Sequence, residues 1–261
     1  MALLLATFER ARASGVPRDR MVFPLAAVES NLMVPLVARA ELHRWPAFGA
    51  AARRLAELTP SDRSPGDSEE IDLYSCFPSA VELACEALGI ADDDPRPLTV
   101  TGGLACFGGP GNAYSLNAIA EMTDRLRAAP GRRGLVTGLG WYVTKHSVGV
   151  YGTERPASPD AFGQGSDPAA DEALQRALDA QPHPALAAEP AGEATVETST
   201  VAFDRDGAPM RGIVIGRLAD GRRFLANTPP ERDVLEAMTV HETVGVRGRV
   251  QPGSPNVFVP A

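Results

Sequence analysis

The sequence contains few cysteines and a single lysine, and both shortages exclude classes of protein. The three cysteines, Cys76, Cys85 and Cys106, form no CxxC pair, so we expect no disulfide framework, no zinc ribbon and no metal site. A small number of cysteines without a pairing pattern is typical of proteins in a reducing compartment, and we expect a cytoplasmic protein. Lys145, the one lysine, lies outside the glycine-rich segment 102–111, which excludes a Walker-type phosphate loop there.

The sequence also lacks an excess of positive charge and any long apolar run. Its 25 Lys and Arg residues face 33 Asp and Glu residues, which gives a formal net charge of −8. A nucleic-acid binder usually carries a basic surface, so we expect no nucleic acid among the partners. The apolar run at residues 2–6 is much shorter than a signal-peptide core. No segment approaches the ~20 apolar residues that a membrane-spanning helix needs, so we expect no membrane span.

Residues 16–152 alternate between apolar runs of strand length and segments with the helical period. Strands are predicted over residues 20–26, 71–74, 98–101, 135–139 and 142–151. Helices are predicted over residues 46–58, 78–88 and 113–128, the second of them between Pro78 and Gly89. The order β-α-β-α-β-α-β-β is typical of an α/β domain with helices on the faces of a mostly parallel or mixed sheet.

Three local features of this region are specific enough to be tested against a structure. Residues 2–6 have the composition of a buried strand, and Thr7 and Gly15 are expected to begin and end a short helix after it. Asn112 is the expected N-cap of the third helix. The apolar spacing predicts the inward face of that helix to be Leu116, Ile119, Ala120, Thr123 and Leu126.

The rest of the chain changes character twice. Residues 153–194 are rich in Pro, Ala, Asp and Gly, and they are predicted to form a linker with only a weak helical pattern at their centre. From residue 195 onward short β-type runs return, separated by the turn dipeptides Asp206-Gly207 and Asp220-Gly221. Five short strands and one helix over residues 195–261 predict a small β-barrel of the oligonucleotide/oligosaccharide-binding (OB) type.

Chemistry on a sheet with parallel strands collects in the loops at the carboxyl ends of those strands. Three loops qualify here: residues 74–77, the glycine-rich segment 102–111, and residues 138–147. Cys76 is either a nucleophile or a small buried side chain. The glycine-rich loop has the form of an anion site before a helix, although it lacks the GxGxxG spacing. Lys145 and His146 either belong to a site or face water on an edge strand.

Taken together, the motifs in these loops resemble the C-terminal half of thiolases, in the branch of sterol-carrier-protein-type and thiolase-like acetyl-CoA acetyltransferases. Residues 72–77 (DLYSCF) are similar to that branch's His-Asp-Cys-Phe segment. Residues 102–110 are similar to its Gly-Gly…Gly-His-Pro loop, and residues 138–140 (GLG) occupy the place of its Cys-Ile-Gly turn. Residues 144–151 resemble the actinobacterial thiolase-like subgroup in particular.

This resemblance implies a division of the chain into four parts. Residues 1–15 resemble the last strand and helix of an upstream thiolase half, and residues 16–152 the C-terminal thiolase domain. The linker over 153–194 then leads to the barrel over 195–261, which is similar to the extra domain of certain thiolase-like proteins. A partner that supplies an N-terminal thiolase half, or a second copy of the chain, is therefore expected.

The resemblance also implies site residues, several of them altered. Thiolases carry the acyl group on a cysteine of the N-terminal half, which a histidine of the Gly-His-Pro loop activates, and a second cysteine handles a proton. Here the histidine position is Gly109 and the second cysteine position is Gly138. The remaining catalytic candidates are Tyr74 and Cys76. The implied substrate-binding residues are Gly108, Gly109, Asn112, Gly138, Gly140 and His146.

Three functions are compatible with these substitutions. The first is the C-terminal part of an acyl-CoA acyltransferase, for which a coenzyme A thioester is the substrate and no bound cofactor is expected. The second is an acyl-CoA carbon–carbon lyase of the retro-aldol type, in which Tyr74 serves as acid or base. The third is a non-catalytic module that binds acyl-CoA or a protein partner.

Overall fold

The computed structural model describes residues 2–59, 63–156 and 167–261, and the chain divides into two compact units. The first unit contains Met1–Met33 and His43–Ala180, and the second contains Val34–Leu42 and Gln181–Ala261. A short segment between two elements of the first unit thus belongs to the second, an arrangement that the sequence patterns did not predict.

The first unit is a mixed sheet with helices packed on it. Its strands are β1 (Phe23–Asn31), β2 (Glu70–Asp72), β3 (Arg133–Gly140) and β4 (Lys145–Gly152). Its helices are α1 (Phe8–Ala13), α2 (Pro46–Leu58), α3 (Pro78–Leu88), α4 (Leu104–Phe107), α5 (Ala113–Ala128) and α6 (Pro168–Asp179). The strand order is β1-β4-β3-β2, with β2 parallel to β3 and the other pairs antiparallel. The predicted α/β class, with helices on a mixed sheet, is confirmed.

Two apolar clusters form the core of this unit. One includes residues of α2 and α3, with Phe48 and Leu55 almost fully buried. The other is built around α5, where Tyr114 and Met122 have no exposed surface. The bounds of α2 and α3 agree with the predicted ones because each begins with a proline, which lacks the N–H that a first turn leaves unpaired. Gly89 ends α3 in the left-handed conformation, with φ of 70°.

The predicted strand over residues 98–101 is wrong. These residues form bends, and the amide groups of Val100 and Thr101 donate to the carboxylate of Asp72, at 3.0 and 3.1 Å from Oδ2. Because a side chain takes these two N–H groups, they are not available to a strand ladder. The short apolar run predicted a strand, but a buried carboxylate on the neighbouring strand decided the outcome.

The predictions for α5 are correct in its end and only partly correct in its face, since Leu126 is buried and Ile119 packs against the core as predicted. The helix ends at Ala128 as expected. Its buried residues are Tyr114, Ala118, Met122 and Leu126, whereas Leu116 is 44 % exposed. Asn112 has helical backbone angles and its side chain makes no capping hydrogen bond. The buried face of α5 includes the large aromatic Tyr114, which is not part of the apolar spacing that predicted the face.

At the N-terminus, the predicted helix is confirmed and the predicted strand is wrong. Thr7 caps α1 by accepting a hydrogen bond from the Arg10 amide at 3.1 Å. Residues 2–6 form no strand, and Leu4 and Leu5 are 95 % and 85 % exposed. Met1 lies outside the described residues.

The second unit is a closed barrel of five strands. These are β5 (Gly192–Phe203), β6 (Pro209–Leu218), β7 (Arg223–Asn227), β8 (Arg247–Gln251) and β9 (Val257–Pro260), with helix α7 (Arg232–Val240) between β7 and β8. The strand order is β5-β6-β7-β9-β8, and β8 pairs with β5 to close the barrel. The predicted C-terminal barrel and both Asp-Gly turns are confirmed, with Gly207 and Gly221 at φ of 83° and 87°.

The stretch predicted as a linker, residues 153–194, contains more structure than its composition suggested. Helix α6 occupies Pro168–Asp179, with Asp167 as its N-cap, and β5 begins within the stretch at Gly192. Residues 157–166 of the stretch lie outside the described residues. Within the described ranges, no helix is both long enough and apolar enough to cross a membrane.

Candidate functional site

The loops that the sequence indicated meet at one edge of the first unit's sheet. Because β2 and β3 are parallel, residues 74–76 and the end of β3 leave the sheet on the same side. Gly103 lies so close to Ser75 that a Cβ atom added to it would be 2.6 Å from the serine Oγ. The structure therefore brings together residues 74–76, the start of the glycine-rich loop and the end of β3.

A buried polar network fixes the floor of this site. Asp72 is fully buried, and its Oδ2 accepts hydrogen bonds from the Val100 amide, the Thr101 amide and the Thr101 hydroxyl, the last at 2.9 Å. The Thr101 hydroxyl also lies 2.8 Å from the hydroxyl of Tyr114. Burial raises the pKa of Asp72, and the hydrogen bonds from Thr101 act in the opposite direction.

The glycine-rich loop is held by backbone conformations that favour glycine. Gly103 and Gly108 flank α4 with φ of 77° and 86° and ψ of 176° and 171°, a region essentially reserved for glycine. The first amide of α4, on Leu104, donates to Ser75 Oγ at 3.2 Å. Gly108, Gly109 and Asn112 are exposed on the outer part of the loop.

The end of β3 faces two serine hydroxyls. A Cβ atom added to Gly138 would lie 2.5 Å from Oγ of Ser147, which is its partner on β4, and 3.1 Å from Oγ of Ser115 on α5. A cysteine at this position would therefore require at least one serine side chain to move. Gly140 lies two residues further on, opposite Lys145, at the end of the same strand pair.

Tyr74 lies in an aromatic group beside the network. Its ring packs edge-on against Tyr114 at 5.0 Å between centroids, and Phe107 contacts the other ring at 6.2 Å. Its amide donates to Oγ1 of Thr137 at 2.9 Å, which fixes the backbone at the end of β2. Burial, with a smaller effect of the Cys76 thiol, raises the pKa of Tyr74, so the phenol is neutral and can donate a hydrogen bond.

The three cysteines have different surroundings. Cys76 is a partly buried free thiol next to Tyr74, and burial raises its pKa. Cys85 is buried in the core on α3, and Cys106 is exposed on α4. A thiol acts as nucleophile through its thiolate, so the raised pKa of Cys76 is the opposite of activation.

His146 is a predicted site residue that the structure places away from this edge group. It is 4 % exposed, and its ring lies 5.2 Å from Trp45 and 5.7 Å from Phe48, measured between centroids. Successive residues of a strand point to opposite faces, so His146 and Ser147 face opposite sides of the sheet. His146 therefore packs with α2, whereas Ser147 faces Gly138.

Comparisons with known proteins agree with this picture for both units. Residues 173–254 match the family model of the thiolase-like protein type 1 additional C-terminal domain. Over 97 % of its length the chain aligns with the crystal structure of a monomeric SCP2-thiolase-like protein type 1 from Mycobacterium smegmatis, with a TM-score of 0.85 and 37 % identity. The chain is thiolase-like. The chain spans 53 % of that relative's length. A comparison with curated proteins found no match to the chain.

Several polar residues at this edge of the sheet were not predicted as site residues. Ser75 lies in the segment 72–77 but is not among the predicted site residues. The Tyr114 ring contacts Tyr74, and the hydroxyls of Ser115 and Ser147 face Gly138. Thr101 lies 2.8 Å from the Tyr114 hydroxyl. Their type gives no chemical signal, since serine and threonine are common in loops. Tyr114 carried a usable signal, because it is an aromatic residue in the first turn of a helix that follows a glycine-rich loop.

Among the described residues of this thiolase-like chain, no group of three His, Cys, Asp or Glu side chains is arranged to hold a metal ion. The arrangement at the sheet edge is instead a set of hydroxyl groups around one buried carboxyl group. Such a set can donate and accept hydrogen bonds and can pass protons between neighbours.

Proposed function

We propose that this chain is the acyl-CoA-binding C-terminal part of a thiolase-like acyltransferase, with a coenzyme A thioester as its substrate. One observation supports the proposal most strongly: the position that resembles the family's second catalytic cysteine, Gly138, faces the hydroxyls of Ser115 and Ser147. Hydroxyl groups at this place can hold a thioester by hydrogen bonds but cannot replace a thiol as a proton carrier of moderate pKa. We infer that binding is retained and that the usual acyl-transfer chemistry is reduced.

The nucleophile of such a protein would come from elsewhere than these loops. Cys76 has a raised thiol pKa and Cys85 lies in the core. Cys106 is exposed on α4, but it stands three residues before Gly109, the position that resembles the family's histidine, and so does not match a catalytic position of the family. An N-terminal thiolase half is the partner we propose as its source, with a second copy of this chain as the alternative. The relative from Mycobacterium smegmatis is a monomeric protein, which favours a half over a second copy.

We expect the purified chain to bind acetyl-CoA in the micromolar range and to catalyse no thiolysis of acetoacetyl-CoA. Calorimetric titration measures the first, and loss of acetoacetyl-CoA absorbance in the presence of free coenzyme A measures the second. The double variant Ser115→Ala/Ser147→Ala is expected to bind about tenfold more weakly, since two hydrogen bonds are lost. Thiolysis above the uncatalysed rate, or the absence of saturable binding, would contradict the proposal.

Retro-aldol cleavage with Tyr74 as the acid is a second candidate function. The raised pKa of this phenol favours an acid role for Tyr74 over a general-base role. A neutral phenol can donate a proton or a hydrogen bond to a substrate oxygen while a carbon–carbon bond breaks. If Tyr74 does this, Tyr74→Phe should slow the cleavage of a β-hydroxyacyl-CoA by about 100-fold or more. Product acetyl-CoA is measured by chromatography, with Tyr142→Phe as the control, because Tyr142 is 82 % exposed at the hairpin end. Equal rates for the wild type and Tyr74→Phe would exclude Tyr74 as the acid.

For the barrel we propose a role in packing or in protein interaction rather than in nucleic-acid binding. Arg217 and Arg223 both pair with Glu197, and Arg222 pairs with Asp220 at 2.8 Å. Arginines that are already paired with carboxylates gain little from a phosphate backbone. This agrees with the net charge of −8 of the whole chain.

A further inference from the structure

The loops of the candidate site carry one formally charged side chain. Residues 74–77, 102–112 and 138–147 contain no Asp, Glu or Arg, and Lys145 is the only lysine of the chain. Lys145 is exposed, and it forms no ion pair with the described residues. The chain as a whole has a net charge of −8, so this ammonium group is a local exception to the charge of the molecule. An exposed positive charge without a partner attracts an anionic part of a ligand.

Lys145 lies on the same face of the sheet as the hydroxyl groups of the site. It is the partner of Gly140 in the β3–β4 pair, and a Cβ atom added to Gly140 would lie 3.4 Å from Cβ and 3.9 Å from Cδ of the lysine. The aliphatic part of Lys145 therefore lies over Gly140, on the face where Ser147 meets Gly138. Alternate residues of a strand are about 6.6 Å apart, which is the distance from which the lysine stem starts beside Ser147.

The backbone that carries Lys145 is held on both sides. Its strand neighbours are Gly140 on β3 and Asn31 on β1. The Leu32 amide donates to the carbonyl of Thr144 at 2.8 Å, directly before the lysine. Gln175 of α6 accepts from the Asn31 amide at 3.2 Å and donates to the Asn31 carbonyl at 2.9 Å. Only the end of the lysine side chain is thus free to move, and a binding group on a fixed strand is placed more precisely than one on a loop.

One carboxylate shares this face of the sheet. Glu29 on β1 is the partner of Ser147 and is exposed, which makes it a diagonal neighbour of Lys145. Diagonal positions are about 7–8 Å apart, and the two side chains form no ion pair. An anionic ligand group near Ser147 is therefore repelled on the Glu29 side and attracted on the Lys145 side.

We propose that Lys145 binds the terminal carboxylate of the acyl group, so that the substrates of this site are coenzyme A thioesters of short dicarboxylic acids. This inference rests on the proposed function, since it assumes that Ser115 and Ser147 hold the thioester. The anionic oxygen at Lys145 has two possible sources, the acyl carboxylate and a phosphate of coenzyme A. The phosphates lie beyond the pantetheine arm, whereas Lys145 starts two residues from Ser147, and this proximity favours the acyl carboxylate.

The first test compares succinyl-CoA with butyryl-CoA by calorimetric titration of the full chain. The two thioesters have acyl chains of equal length and differ in a carboxylate that replaces a methyl group. We expect the wild type to bind succinyl-CoA about fivefold more tightly, which is the size of an exposed ion pair. The preference should shrink as the salt concentration rises, because salt screens exposed charges.

Three variants assign the preference to the ammonium group. Lys145→Met keeps a stem of similar shape without the charge, and it should abolish the preference. Lys145→Arg keeps the charge and should retain the preference. Arg53→Met removes an exposed cation from α2 and should leave the preference unchanged. Glu29→Gln should increase the preference, because it removes a negative charge from the same face.

A second test observes Lys145 directly. Since it is the only lysine, a chain that contains isotope-labelled lysine gives one side-chain NMR signal, which needs no assignment. Saturation with succinyl-CoA should shift this signal, and saturation with butyryl-CoA should leave it nearly in place. A signal that responds equally to both thioesters would contradict a contact between Lys145 and the acyl carboxylate.

The outcomes separate this inference from the proposed function. Equal affinity of the wild type for both thioesters would overturn the inference and leave the proposed function standing. An equal loss of affinity for both thioesters in Lys145→Met would show that the lysine holds a phosphate of coenzyme A, and would also overturn it. If neither thioester binds, the proposed function itself fails, and the substrate class fails with it.

Discussion

Replacing Arg223 with alanine is expected to lower the free energy of unfolding by about 3–5 kcal/mol, as the loss of one partner of a buried ion pair does. The Arg223 side chain is 4 % exposed and pairs with Glu197. It also donates to the main-chain carbonyls of Val37, at 3.1 Å, and Arg39. Alanine leaves both carbonyls and one oxygen of Glu197 without their donor, and Arg217 compensates only the other oxygen, at 2.7 Å.

Urea unfolding followed by circular dichroism measures this loss, because both tryptophans lie in the first unit and their fluorescence would not report on the barrel. Arg222→Ala is the matched control: the neighbouring arginine pairs only with Asp220 at the surface, and no measurable change is expected. Arg223→Lys should lose an intermediate amount, since one ammonium group cannot span the carboxylate and both carbonyls. A wild-type urea midpoint for Arg223→Ala would contradict the role of this side chain.

Gly103→Ala should have the second large effect, on the candidate site itself. Its backbone angles cost about 1–3 kcal/mol for any residue with a Cβ atom. The added Cβ would also lie 2.6 Å from Ser75 Oγ, well inside contact distance, and the overlap costs about 1–3 kcal/mol more. We therefore expect both lower stability and a displaced Ser75.

Gly108→Ala separates the two costs. Gly108 has nearly the same φ and ψ at the other end of α4, but a Cβ atom there meets nothing within 4 Å. Gly108→Ala should therefore lower the free energy of unfolding by the backbone contribution alone, about 1–3 kcal/mol. In the double variant Gly103→Ala/Ser75→Ala the overlap is removed, so part of the lost stability should return. Equal losses for Gly103→Ala and Gly108→Ala in urea unfolding would show that Ser75 does not press on the loop.

Much of the fold is readable from short-range signals in the sequence. The bounds of α2 and α3 follow from a proline at the first turn and an apolar face at the helical period. The barrel follows from its two Asp-Gly turns and the β-type runs around them. These features depend on residues a few positions apart, which is why pattern and structure agree there.

The features that were not predicted depend on contacts between distant residues. Residues 98–101 lose their strand to a carboxylate 28 residues earlier, at Asp72. The face of α5 is chosen by Tyr114, which contacts Tyr74 and Thr101 from other elements. No local pattern marks a serine or threonine as part of a buried network, so the polar half of the candidate site appears only when the elements are assembled.

The segment Val34–Leu42 has a consequence for how the chain is made. It belongs to the barrel unit, yet 186 residues separate Val37 from Arg223, the side chain that holds it. At synthesis rates of about 5–20 residues per second, the segment waits about ten to forty seconds for its partner to leave the ribosome. The barrel unit is thus completed only when Arg223 has been made, 186 positions after Val37. A fragment that starts at residue 173, where the family model begins, would contain all five strands of the barrel. It would still lack Val37 and Arg39, whose main-chain carbonyls accept hydrogen bonds from Arg223.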